Sequence, residues 1–146
     1  MITIVPMTKA HAEAVHDIES HSFSDPWPIE DILFELAQAH TISYVAMVQG
    51  VVAGFGSMRH IVNEGHISNI ATHEDYRKNG VASAIVAALI QSALSMDMIG
   101  ITLEVRIGNR AAMALYHKYG FVVEGYRRGY YNHPREDAAI MWKYLQ

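Results

Sequence analysis

Apolar residues recur at every second position from Ile101 to Val105 and at every third or fourth from Ala12 to Ile18. The first period marks a half-buried strand and the second an amphipathic helix. Read this way, Ile2 to Pro6 is a strand. Thr8 caps a helix that runs to about Ser20, with Ala12, Val15 and Ile18 inside. Ser24 to Pro28 is a loop, because each proline disfavours helical backbone in the residue before it. Pro28 opens a second helix at its first position, and Glu30 and Asp31 suit the positive end of the helix dipole. Ile29, Ile32, Leu33 and Leu36 form its expected buried stripe.

Thr41 to Gln49 and Val51 to Ile61 are strands joined around Gly50, and Asn63-Glu64-Gly65 is a turn into a strand from His66 to Thr72. A long apolar helix follows from Val81 to Leu94, then the Ile101 to Arg106 strand. Asn109 caps the next helix and Gly120 ends it. A strand from Phe121 and another from Glu136 to Tyr144 complete the chain. Strands cluster first and then alternate with helices, in the order β-α-α-β-β-β-α-β-α-β-β. That order predicts an α/β fold with a mixed sheet, in a single domain spanning residues 1–146.

Composition narrows the function. The 146 residues are 51% hydrophobic and 18% charged, which suits one folded domain with a real core. Net charge is −4 and the pI about 6.1, so a global grip on nucleic acid is not expected. With no cysteine, the chain has no disulfide, no thiolate zinc site and no thiol nucleophile. Neither a secretory signal nor a membrane-spanning run is visible; a soluble, cytoplasmic monomer is the expectation. The nine histidines do not form a metal pattern: His11, His16 and His21 are five apart and drift around their helix. No metal is expected. Gly54-Phe55-Gly56 is not a dinucleotide fingerprint, since Arg59 stands where the third glycine belongs.

The segment with most chemistry is Arg77-Lys78-Asn79-Gly80-Val81-Ala82-Ser83, which joins a strand to a helix start. The first N–H groups of a helix lack internal partners and favour an anion. Gly80 lets the backbone approach that anion, and Arg77 and Lys78 add charge. Glu104 lies on the polar face of its strand with Thr102 and Arg106. The spacing leaves open both a catalytic carboxylate and a solvated one. Tyr116, on a helix, is equally readable as core.

These motifs resemble those of the GNAT-type acetyl-CoA-dependent N-acetyltransferases. Arg77, Gly80 and Ala82 fit the family's [Q/R]-x-x-G-x-[G/A] pattern. Asn109, Ala112, Leu115, Tyr116, Gly120 and Phe121 fit N-x-x-A-x-x-L-Y-x-x-x-G-F. Leu103 to Arg106, Arg127 to Tyr131, Arg135 to Ala138 and Asp25-Pro26-Trp27 resemble the RimI-type branch, the ribosomal-protein alanine N-acetyltransferases. Lys78-Asn79 and Gly108 depart from the commoner residues there. The resemblance covers essentially the whole chain.

It implies a mixed, mostly antiparallel sheet of about seven strands, splayed between the fourth and fifth at the cofactor site, flanked by about four helices. It implies acetyl-CoA as co-substrate, held by Arg77 to Ser83 and Asn109, with backbone near Asn69, Ile70 and Ala71 polarising the carbonyl. Glu104 is then the general base, with a pKa raised by partial burial, and Tyr116 the acid for the thiolate. Trp27, Tyr130 and Tyr131 shape a mouth for the N-terminus of a protein, a ribosomal protein in particular. Without a cysteine, transfer is expected to be direct, in a ternary complex. A small-amine acetyltransferase and a non-catalytic acyl-CoA-binding module are the alternatives.

Overall fold

The computed structural model describes all 146 residues. Its elements are β1 (Ile2–Pro6), α1 (Ala12–Ser22), α2 (Ile29–Leu36), β2 (Thr41–Val48), β3 (Val51–Ile61), β4 (Glu64–Thr72), α3 (Val81–Ser95), β5 (Gly100–Arg106), α4 (Arg110–Lys118), β6 (Val122–Tyr131) and β7 (Glu136–Tyr144). The order is the one the hydrophobic pattern predicts. The ends differ slightly. A 3-10 turn over Lys9–His11 intervenes between Thr8 and α1, and Pro28 sits one position earlier than expected, as the cap before Ile29.

All seven strands form one sheet in the order β1-β2-β3-β4-β5-β7-β6. Every neighbouring pair is antiparallel except β4 and β5. Those two run parallel and pair only over Glu64–His66 against Gly100–Thr102. Beyond His66 the strands diverge, so the sheet is splayed where the resemblance implied.

Adjacent Val45 and Ala46 enter different apolar clusters, which therefore lie on opposite faces of the sheet. One face is covered by α3, through Val81, Ile85, Val86, Leu89 and Ala93. The other is covered by α1 and α2, through Ala12, Val15, Ile18 and Ile32. Gly54 and Gly56 seat α3: a Cβ on Gly54 would lie 2.6 Å from Val81 Cγ1 and 2.9 Å from the Ala71 carbonyl. Helix α2 buries less than its pattern suggested. Ile29 and Leu36 join the second cluster, but Leu33 lies at the margin of the stripe and is exposed.

One irregularity in β4 prepares the site. Ser57 pairs with Asn69 and Met58 with Ile67, leaving Ser68 as the extra residue of a β-bulge. A bulge reverses the alternation that follows it. Ile67 and Ile70 therefore both point toward α3, while Asn69 and Ala71 point toward α1. In a regular strand His66 and Asn69 would face opposite sides; here they share one.

Candidate active site

The splay opens a cleft of about 330 Å³, lined by Glu19, Asn69 and Glu104 toward α1 and by Ile70, Leu103 and Tyr116 toward α3. Leu103 and Val105 are buried under α3, so Glu104 between them points the other way, into the cleft. His66 reaches it from β4, its Nε2–H donating to Glu104 Oε1 at 2.9 Å. This corrects the expected electrostatics of Glu104. Its pKa lies below, not above, the ordinary carboxylate range. The hydrogen bond from His66 stabilises the charged form more than partial burial penalises it, and Arg127 and Tyr130 act in the same direction.

Tyr116 lines the cleft from α4 and is 7% exposed, with its ring edge-on to Phe121 at 5.6 Å. It is both core and cleft wall. Burial pushes its hydroxyl pKa far up, so it keeps its proton at any working pH. Tyr131 is pushed up to about 12, by burial first and then by Tyr130. Tyr130 and Tyr131 meet edge to face at 5.0 Å, and the Arg106 guanidinium lies 4.4 Å over the Tyr131 ring. Arg106 is itself held by Glu136 at 3.1 Å and by the carbonyls of Pro134 and Asn132. The aromatic wall is thus braced by the β6–β7 turn. Trp27 stands opposite, half-buried against the second cluster, its carbonyl accepting from His16 Nδ1 at 3.1 Å.

The anion loop lies at the start of α3. Gly80 is its N-cap with φ +83°, a left-handed backbone that favours glycine, and a Cβ there would meet nothing within 4 Å. The first helical bond is Ala84 N–H to the Gly80 carbonyl, so the N–H groups of Val81, Ala82 and Ser83 precede the helical ladder. Arg77, Lys78 and Asn79 are exposed beside them. The Val81 side chain is buried under β3, leaving only its backbone for a ligand, and the Ser83 hydroxyl bonds that of Tyr119. Asn109 caps α4, Oδ1 accepting from Ala112 N–H at 3.2 Å, and also borders the cleft. Ile70 lines the cleft, whereas the Ala71 side chain is buried beneath α1.

The model of the acetyltransferase (GNAT) family matches residues 12–121. The chain belongs to that family. Its relatives in the family include the [ribosomal protein bS18]-alanine N-acetyltransferase of Escherichia coli K12, 30% identical over 143 residues, 97% of this chain and 96% of the relative. The N-alpha-acetyltransferase RimI of Mycobacterium tuberculosis is 31% identical, covering 96% of this chain and 90% of its own. The crystal structure of the ribosomal-protein-S18-alanine N-acetyltransferase from E. coli superposes with a TM-score of 0.92 at 29% identity, over 100% and 95% of the two chains. Like other members of the GNAT family, the protein is an acetyl-CoA-dependent N-acetyltransferase.

Of the residues singled out in the sequence, Trp27, Ile70, Glu104, Asn109, Tyr116, Tyr130 and Tyr131 share the cleft, and Arg77 to Ser83 form the loop at the start of α3. The sequence reading missed three. His66 alternates with apolar residues like any strand histidine, and only the β4–β5 register reveals its partner. Asn69 is named there for its backbone alone, and the direction of its side chain depends on the bulge. Glu19 was detectable: it falls seven residues after Ala12 on the inner stripe of α1, where a charged residue is out of place.

Proposed function

We propose that this enzyme acetylates the α-amine of a protein N-terminus, with the N-terminal alanine of a ribosomal protein as its first substrate. Acetyl-CoA fits the start of α3, where Gly80 leaves open space and Val81, Ala82 and Ser83 turn their N–H groups outward. When bound it supplies the activated acetyl group. The β4 backbone from Asn69 to Ala71, released from β5 by the splay, is the donor for the developing oxyanion.

The observation that carries the reading is the His66–Glu104 hydrogen bond, with Glu104 and Tyr116 both lining the cleft at the open end of the sheet. Glu104 takes the proton that the amine loses as its nitrogen bonds to the acetyl carbon. His66 orients that carboxylate. Tyr116, kept protonated by burial, donates to the sulfur as the carbon–sulfur bond breaks. With no cysteine to carry the acetyl group, both substrates are held together and transfer is direct. The Trp27 and Tyr130–Tyr131 walls suit an extended peptide. The relatives named for bS18 alanine support the choice of first residue.

The test is turnover of acetyl-CoA on short peptides that differ only in their first residue. Alanine is expected to react fastest. Turnover on small amines with none on any peptide would overturn the reading.

A further inference from the structure

Glu19 is the one charged residue in the buried core, 1% exposed at the end of the α1 stripe. Its Oε1 accepts from Asn69 Nδ2, while its Oε2 is buried with no hydrogen-bond partner. An unpaired carboxylate oxygen in such a place is costly and calls for a donor. The residue borders the cleft, and the bulge at Ser68 puts Asn69 on the same face as His66, which bonds Glu104.

The Trp27 backbone N–H stabilises the carboxylate, but no side chain donates to Oε2. Arg106, the only Arg or Lys in the cleft lining, is engaged by Glu136 and two carbonyls, and Arg59 on the neighbouring strand gives its terminal nitrogen to Glu35, its Nε staying buried without a partner. The cleft is lined by three carboxyl groups, Glu19, Asp25 and Glu104, against that one guanidinium; His133 bonds Asp25 and His66 bonds Glu104, and neither histidine reaches Glu19. Its field draws a cation. We propose that Glu19, with Asn69, is the subsite that binds the ammonium group of the incoming N-terminus. The inference rests on the peptide-amine reading given above. It also gives the site a means of letting go: acetylation turns a cation with three donors into a neutral amide with one. Burial holds the Glu19 carboxyl at a pKa of about 7, so an arriving ammonium would favour its charged form.

The competing occupant is a buried water. A small cavity of about 20 Å³ beside Glu19, lined in part by Ser43 and Ser57, is large enough for one. Titration calorimetry on the full chain saturated with CoA separates the two. The probes are an alanine-first peptide with a free α-amine and a twin in which that amine is replaced by hydrogen. Wild-type protein is expected to prefer the amine-bearing peptide. Glu19→Gln should shrink that preference roughly ten- to a hundredfold, with the affinities for the twin and for CoA unchanged. Glu19→Asp keeps the charge but withdraws it by one methylene, and should lose part of the preference; it serves as the readout if Glu19→Gln fails to fold. An undiminished preference in Glu19→Gln would assign the oxygen to water and overturn the subsite alone. A wild-type protein that binds neither peptide would overturn the peptide reading and the subsite together.

Discussion

His66 donates a hydrogen bond to Glu104 across the only parallel junction of the sheet, Nε2 to Oε1 at 2.9 Å. The bond exists because pairing stops at His66 and Thr102, leaving Glu104 two residues further along a strand that has begun to diverge. It keeps Glu104 ionised and aimed. Glu104→Gln is expected to lower kcat by about 10²–10⁴-fold, with the deficit narrowing as pH rises and the amine loses its proton unaided. His66→Phe should let the Glu104 pKa rise, visible by carboxyl NMR, with a smaller loss of kcat. Wild-type kcat in Glu104→Gln at every pH would reduce Glu104 to a wall of the cleft.

Gly80 combines a left-handed backbone with open space on its Cβ side. Gly80→Val adds strain, about 1–2 kcal/mol, and also fills the approach to the free N–H groups. Gly80→Asn separates the two effects, because asparagine tolerates the left-handed region. Both variants are expected to fold and to bind acetyl-CoA much more weakly in calorimetry. Full affinity in Gly80→Asn would leave the glycine a purely conformational role.

The fold was legible because its signals are local. The alternation in Ile101 to Arg106 fixes which side Glu104 takes, and Asn109 and Gly120 mark the two ends of α4. In the sequence Gly54 and Gly56 read only as a failed nucleotide motif; their close approach to α3 needs the sheet assembled. The charge state of Glu104 could not be read, since it is set by a residue 38 positions away. The same holds for Asn69, whose direction depends on one extra residue in β4.

Glu19 makes stability depend on pH in the sense opposite to a paired carboxylate. Its pKa rises from 4.5 to about 7 on folding, so the folded state holds the proton more tightly. Below about pH 4.5 both states are protonated and the group has no differential effect. Between there and pH 7 the unfolded chain ionises first, and stability falls by about 1.4 kcal/mol per unit, to a loss of about 3 kcal/mol above pH 7. Glu19→Gln escapes this loss. In urea unfolding it is expected to gain about 3 kcal/mol over wild type at pH 8, relative to any difference at pH 4.5. An equal difference at both pH values would show that Glu19 is not a strained acid.

The preferred acceptor follows from proton energetics as much as from shape. An α-amine has a pKa of about 7.7–8.0 and a lysine ε-amine about 10.4. Neutralising lysine at pH 7 therefore costs about 3.4 kcal/mol more. Glu104 is a poor match for that burden: with its pKa lowered by His66, it is a weak proton acceptor and suits an amine already partly neutral. The cleft lining also carries charged and polar groups, Glu19, Asn69 and Glu104, among its apolar side chains. One peptide with a free N-terminal alanine and an internal lysine, compared with its N-terminally blocked twin, decides the matter. Acetylation is expected on the alanine nitrogen of the first and on neither nitrogen of the second, located by mass spectrometry. Equal modification of both peptides, found on the lysine, would mean that the amine arrives by another path and that Glu104 has help not visible in this arrangement.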